Sequence, residues 1–282
     1  MPAVVITGVS TGIGRAATQN LLSNGFRVFG SVRKASDAAA LSAEFGAQFT
    51  PLLFDVTDEQ AAADAAQTVR EALQGETLSG LVNNAGVAMA GPLLELPRED
   101  FLQQLQVNLV GPFTVTQVFA PLLGTDRSLR GKPGRIVNIS SVSGIRAMPF
   151  LGAYAASKYG LEGYSEALRR ELLLYGIDVI VIGPGPVRTP IWDKADSLDT
   201  ELYAQSAYAD ILDRFKSAFI EAGREGLTSE FLGELVHTAL TTAHPRVRYA
   251  AVKGRLIEKL VMRLGSARML DRLIGKKLGL LD

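Results

Sequence analysis

The chain has 282 residues, 47% of them hydrophobic, with 29 basic and 29 acidic side chains and no net charge. That balance provides a large core and no basic field to hold nucleic acid. Cysteine is absent and His237 and His244 are the two histidines, which excludes disulfides, cysteine nucleophiles and a thiolate or His-rich metal centre.

The first residues lack the charged start and cleavage site of a signal peptide. No apolar run reaches the ~20 residues of a membrane span. A cytoplasmic protein is expected. In chain order, Val4, Val5 and Ile6 predict a buried strand, and residues 13–24 a helix stopped by Gly25. Residues 27–32 predict a second strand, 35–45 a helix and 49–54 a third strand. The alanine-rich stretch 58–73 predicts a helix capped by Thr57 or Asp58. A fourth strand over 81–83 precedes a long helix over 99–123. A fifth strand over 136–139 precedes a second long helix over 154–175, closed by Gly176. Residues 179–182 predict a sixth strand, 228–242 a helix and 249–252 a seventh strand.

Continuous apolar strands alternating with helices predict the α/β class. The expectation is a single doubly wound Rossmann domain, a parallel seven-stranded sheet with helices on both faces. That domain is expected over residues 1–254. Residues 190–226 are long for a connection, so they predict a helical substrate lid. The lid carries Trp192, Tyr203, Tyr208, Phe215 and Phe219. Residues 255–282 predict an amphipathic helical extension. Leu256, Ile257, Leu260, Val261 and Leu264 share one face, and Met269, Leu270, Leu273 and Ile274 begin another. Its polar positions are mostly basic. Two readings stay open: packing on the subunit or its partner at the border of the substrate mouth, which is favoured because apolar faces are usually buried in protein, and peripheral membrane contact.

Between the first strand and first helix stands Thr7-Gly8-Val9-Ser10-Thr11-Gly12-Ile13-Gly14. Its three glycines let the backbone turn tightly and approach a pyrophosphate. The helix that follows would aim free N–H groups at the phosphates. The second strand ends in Arg33 and Lys34, with no acid to bind a ribose 2′-hydroxyl. Arg33 suits a 2′-phosphate, so NADP is the preferred cofactor and NAD the alternative. Asp55, with Val56 beside it, is placed either on the adenine or in a turn.

Tyr154 and Lys158 are four residues apart at a helix start, so they share a face. An ammonium ~4 Å from a phenol would lower its pKa from about 10 by up to ~3 units. Tyr154 would then act as general acid or base. Ser141 follows the fifth strand at its carboxyl end, where such sheets bind ligands. Ser140 and Ser143 are close alternatives. Asn108 is a poor helix former inside a predicted helix, and a buried structural amide there would look the same.

Together these residues resemble the short-chain dehydrogenase/reductase family in its standard-length branch, over about residues 1–190. The match comprises the glycine motif from Thr7 to Gly14, Asn83-Asn84-Ala85-Gly86, the set Asn108, Ser141, Tyr154 and Lys158, and Pro184-Gly185-x-Val187-x-Thr189. The glycine spacing differs from that of the extended epimerase branch. The resemblance implies hydride transfer between nicotinamide and an alcohol or carbonyl carbon. It implies that Tyr154 is the acid or base and that Lys158 also binds the nicotinamide ribose. Ser141, favoured by its thirteen-residue separation from Tyr154, would hold the substrate oxygen, and Asn108 a relay water. Gly8, Ser10, Thr11, Gly12, Ile13 and Gly14 would hold the phosphates. Asn83, Ala85 and Gly86 would line the adenosine side. Pro184 and Gly185 would shape a loop from which Val187 and Thr189 hold the carboxamide.

Met148 and Phe150 before Tyr154, with Trp192 in the lid, predict an apolar pocket. These features, with Arg33 and Arg248-Tyr249, look like the steroid and retinol dehydrogenase branch. The expected substrate is a small apolar alcohol, ketone or aldehyde of steroid, retinoid or aryl type. The resemblance also implies a homodimer or homotetramer built on the helices over 99–123 and 154–175. Two other functions stay open: a nicotinamide-binding sensor or scaffold without turnover, and an epimerase or dehydratase.

Overall fold

Seven strands run parallel in the order β3-β2-β1-β4-β5-β6-β7. They are β1 (Ala3–Ile6), β2 (Arg27–Val32), β3 (Phe49–Leu53), β4 (Gly80–Asn83), β5 (Arg135–Ile139), β6 (Asp178–Pro184) and β7 (Arg248–Ala251). The computed structural model describes residues 1–189, 201–253 and 266–281. The sheet is the expected doubly wound Rossmann arrangement. The chain steps outward from β1 to β3, then crosses to β4 on the other side, so a crevice opens where the order reverses.

The helices are α1 (Gly12–Ser23), α2 (Ala35–Phe45), α3 (Glu59–Leu73), α4 (Arg98–Leu105), α5 (Gly111–Phe119), α6 (Gly152–Glu171), α7 (Ala209–Arg224), α8 (Ser229–Thr241) and α9 (Ala267–Leu278). Two buried clusters cover the two faces of the sheet. One joins Val5, Phe29, Leu81 and Ile136 to α3 and α5, and the other joins Val4, Ile6, Val82 and Ile180 to α1 and α8. Alternate strand residues serve opposite faces, and both are dry, which is why the strands read as unbroken apolar runs.

The helix expected over 99–123 is not regular. Between α4 and α5 residues Gln106–Val110 widen into a π segment, and the end tightens into a 3-10 turn at Ala120–Leu123. A π turn accommodates an extra residue without ending the helix, and such bulges often mark functional positions. Asn108 sits in it. Helix α6 likewise starts two residues earlier than expected and ends in a 3-10 turn, Leu172–Tyr175.

Amides tie the sheet to its covering helices. Asn83 and Asn138 are register partners on β4 and β5. Asn83 Nδ2 donates to Asn138 Oδ1 at 2.8 Å and to Thr116 Oγ1 of α5 at 3.1 Å. Asn138 Nδ2 donates to Ser165 Oγ of α6 at 2.8 Å. All four side chains are buried. Asn138→Ala would leave Asn83 and Ser165 without this partner in a dry core. An unmet buried polar group costs about 1–3 kcal/mol, so urea unfolding should show a loss of roughly 2–4 kcal/mol.

Candidate active site

The glycine loop is built as a cradle. Gly8 and Gly12 have φ of +70° and +58°, a region open to glycine. A Cβ on Gly14 would lie 2.3 Å from the Gly8 carbonyl oxygen and 2.4 Å from Asn84 Nδ2. Thr11 precedes α1 without a side-chain cap bond, and the first turn of α1 carries no acid. Its free N–H groups therefore suit an anion. Ser10 and Ile13 lie within this turn. The loop is braced from below. Ser31 Oγ accepts from Gly8 N at 3.0 Å, and Thr7 Oγ1 accepts from the N–H groups of Asn84 and Ala85, each at 2.9 Å. Asn84 Nδ2 donates to the carbonyls of Thr7 and Gly8 at 2.8 and 2.9 Å. Thr7 and Asn84 stood in the sequence motifs, but only the structure gives them this bracing role. These features fit a dinucleotide phosphate.

The residues expected beside adenosine divide. The Asn83 side chain is in the core, bonded to Thr116 and Asn138, so it does not line the crevice. Ala85 lies against Gly8, where a Cβ on the glycine would come 3.0 Å from Ala85 Cα. Asp55 Oδ1 accepts from the N–H and hydroxyl of Thr57 at 3.0 and 2.8 Å, which is the turn placement. The Val56 side chain is buried in the core below α5. Arg33 stands at the end of β2 with its side chain 67% exposed, 3.7 Å from Asp55 Oδ2.

The four expected catalytic side chains converge around the ends of β4 and β5. Asn108 Oδ1 accepts from Val87 N at 2.9 Å, and its Nδ2 donates to Val87 O at 2.9 Å and Ser157 Oγ at 3.1 Å. Both amide protons are thus committed to the protein. Gln104, one turn earlier and missed by sequence reasoning, holds Val87 and Met89 in the same way. A Cβ on Gly86 would meet Asn108 Oδ1 at 3.2 Å and Lys158 Nζ at 3.8 Å, so these three residues share one corner.

Ser141 Oγ accepts from Ser143 N at 3.1 Å and acts on the Tyr154 hydroxyl as a hydrogen-bond partner. Ser140 Oγ is buried and has no hydrogen-bond partner among the described residues, and the Ser143 backbone bonds Ser141. Lys158 Nζ donates to the Ile139 carbonyl at 2.9 Å and lies 5.8 Å from the Tyr154 ring centroid.

That geometry corrects the expected acidification of the phenol. Burial pushes the Tyr154 pKa up, and Ser141 only partly opposes it. The ammonium bonds the Ile139 carbonyl, and the shift of the phenol carries no lowering contribution from Lys158. Burial also pulls Lys158 down to about 8, with the Glu162 carboxylate opposing. Tyr154 therefore keeps its proton at neutral pH, and Lys158 is charged below about 8.

The Thr189 side chain lies beside Gly12, where a Cβ on the glycine would come 3.1 Å from Thr189 Cγ2. The loop after β6 thereby returns to the phosphate cradle, with Pro184 closing the strand, Gly185 N bonded to Ala251 O and Val187 buried. Beyond Tyr154 lies an apolar cluster. Phe150, Leu151, Tyr203, Leu212 and Phe215 form its core, and Met148, Tyr154, Phe219, Leu278 and Leu280 pack on it. Phe150 holds a φ of +64°, unusual for a bulky residue, with its ring against Tyr208 and Phe215. Trp192 and the helical face expected over Leu256 to Leu264 lie outside the described residues.

The short chain dehydrogenase profile matches residues 2–199. The NADPH-dependent 3-dehydrocapnine reductase of Ornithobacterium rhinotracheale is 38% identical over 274 residues, spanning 97% of this chain and 96% of that protein. Human retinol dehydrogenase 16 is 35% identical over 264 residues, 88% of this chain and 80% of its own. A short chain dehydrogenase/reductase from Burkholderia phymatum, solved in complex with NAD, shares the fold with a TM-score of 0.78 and 24% identity, covering 97% of this chain and 94% of that one. The chain belongs to the short-chain dehydrogenase family. It is an NAD(P)-dependent oxidoreductase working between alcohols and carbonyl compounds.

The lowered Lys158 pKa has a consequence for stability. Between about 8 and 10.5 the unfolded chain keeps a proton that the folded chain has released. Stability contributed by this group therefore rises with pH across that window. Unfolding free energies measured against pH should show this rise in the wild type and not in Lys158→Met. Parallel profiles for the two proteins would contradict it.

Proposed function

We propose that this protein reduces an apolar ketone or aldehyde with NADPH, or oxidises the matching primary or secondary alcohol, using Tyr154 as the proton donor or acceptor. The observation that carries the reading is the convergence of Tyr154, Ser141 and Lys158 beside Gly86, under a loop that returns Thr189 to the glycine cradle. Bound nicotinamide would supply or accept the hydride. Tyr154 gives its proton to the carbonyl oxygen, and the raised phenol pKa keeps that proton in place at neutral pH. Ser141 donates a hydrogen bond to the same oxygen. The Lys158 ammonium stabilises the phenolate as it forms and holds the ribose hydroxyls. Asn108 fixes the floor through Val87 and Ser157, and any relay water is held by groups other than its committed amide protons.

The apolar cluster of Phe150, Tyr203 and Phe215 supports a hydrophobic substrate and excludes water from the reacting carbon. Relatives are named for the reduction of 3-dehydrocapnine and for retinol. NADP is preferred because Arg33 is exposed at the end of β2 and the relative matched over 97% of the chain is NADPH-dependent. The tail is read as packed on its own subunit, because Leu278 and Leu280 pack against the lid cluster. A homodimer or homotetramer is built through α4, the π segment, α5 and α6, where Leu102, Val110, Phe113 and Tyr159 expose large apolar side chains. The whole chain forms one domain with residues 255–282 as its extension.

The direct test is an NADPH-oxidation screen over long-chain, steroid, retinoid and aryl carbonyls, followed by variants on the best substrate. Tyr154→Phe keeps the ring and loses the proton, so turnover should fall by roughly 10²–10⁴-fold with NADPH affinity unchanged. Wild-type turnover in that variant removes Tyr154 from the mechanism. Arg33→Ala should weaken NADPH by about tenfold or more, and leave NADH untouched, because a charge-assisted hydrogen bond is lost only with the phosphate. Equal losses for both cofactors show that Arg33 does not read the 2′-phosphate.

A further inference from the structure

Tyr154, Lys158 and Glu162 stand four residues apart along α6, so one side of this helix carries a phenol, an ammonium and a carboxylate. Glu162 is shielded from solvent, with its side chain 17% exposed. Its partner is Arg248 of β7, 24% exposed. Arg248 Nε donates to both carboxylate oxygens at 3.1 Å, and Nη2 lies 3.1 Å from Oε1. The same Nη2 donates to the Ser141 carbonyl at 3.4 Å. One guanidinium from the last strand thus touches both the helix of Tyr154 and Lys158 and the turn of Ser141.

The chain clears space for this contact at two places. A Cβ on Gly183 of β6 would fall 2.1 Å from Arg248 Nη2. A Cβ on Gly144 would fall 3.0 Å from Glu162 Cγ and 2.7 Å from Ser140 Oγ. Desolvating a charged pair is costly, and β7 is already fastened to β6 by its parallel ladder. The pair is therefore not needed to hold the strand.

We propose that Arg248 and Glu162 are positioning residues for the reaction: Glu162 is the counter-charge of the buried Lys158 ammonium, and Arg248 moderates that carboxylate while fixing the Ser141 turn against α6. This rests on the reading of Lys158 as the cation that holds the cofactor ribose.

The groups around Lys158 leave that role to Glu162. From α6 it faces Tyr154 and Glu162. From β5 it meets the Ile139 carbonyl, and from the π segment the uncharged Asn108 shares the Gly86 corner with it. Arg248 of β7 bonds Glu162 from the other side. In β6 the ionisable side chain is Asp178, at the far, exposed end and paired with Arg135. Burial pulls the Lys158 pKa down to about 8, and Glu162 is the charge that holds it up.

Two opposite substitutions test the proposal. NADPH affinity, read by fluorescence titration from neutral to alkaline pH, should fall with a midpoint set by Lys158. Lys158→Met should abolish that fall. Glu162→Gln keeps the shape and removes the counter-charge, so the midpoint should move down by roughly one pH unit. Arg248→Gln leaves the carboxylate unmoderated, so the midpoint should move up by a similar amount. Arg248→Lys keeps the charge and should stay near wild type. Glu162→Gln/Arg248→Gln strands no lone buried charge, and its midpoint should fall between Glu162→Gln and wild type, which keeps the order testable if Arg248→Gln does not fold. A purely structural pair would move all variants the same way, or move affinity without the midpoint, and either result overturns the proposal while Lys158→Met still behaves as expected. An unchanged alkaline fall in Lys158→Met overturns the reading of Lys158 itself, and the proposal with it.

Discussion

Keeping an ammonium charged in a dry interior is the constraint around which this site is arranged. Lys158 is 5% exposed, and its Nζ donates to the Ile139 carbonyl at the end of β5. Burial lowers its pKa, so its charge at neutral pH needs support from nearby acceptors and carboxylates. The carboxyl end of a parallel strand supplies a carbonyl that no further ladder uses. The next helical turn supplies Glu162. A bound ribose would supply hydroxyls. The same helix face carries Tyr154, so the position of the cation also fixes the position of the acid.

The remainder of the site follows from holding α6 at that height over the sheet. Asn138 of β5 bonds Ser165, and Asn108 of the widened helix bonds Ser157, so α6 is tied at two levels. Ser157 Oγ in turn donates to the Tyr154 carbonyl at 2.7 Å. The phosphate cradle belongs to the same frame, because Thr7 and Asn84 join the end of β1 to the end of β4. A ligand spanning the crevice from Gly14 to Tyr154 therefore meets a surface set largely by buried polar bonds.

The sheet was legible because its strands are dry on both faces. Runs such as Val4-Val5-Ile6 and Val179-Ile180-Val181-Ile182 admit no other placement between helices of clear period. That the glycine cradle, Ser141, Tyr154 and Lys158 would lie near strand ends was legible because the pattern of strands and helices fixes where those segments fall. Four features were not. The π segment changes a helix by local widening, which a 3.6-residue apolar period does not register. The direction of the Asn83 carboxamide depends on Thr116 and Asn138, distant in sequence. The phenol's pKa depends on where a flexible lysine points, and Lys158 points to a carbonyl. The Glu162–Arg248 pair joins residues 86 apart, beyond the reach of any local pattern.

The central claim is that the crevice carries hydride between nicotinamide and a substrate carbon, with net turnover. The most direct measurement is a single turnover with NADPH deuterated on the transferring face of C4 and an apolar ketone, followed by mass spectrometry of both products. The account predicts deuterium on the carbinol carbon and its stoichiometric loss from the nicotinamide. Deuterium retained on the cofactor, or returned to it after the substrate is released, would contradict the account and point to a nicotinamide-binding protein without turnover or to an epimerase.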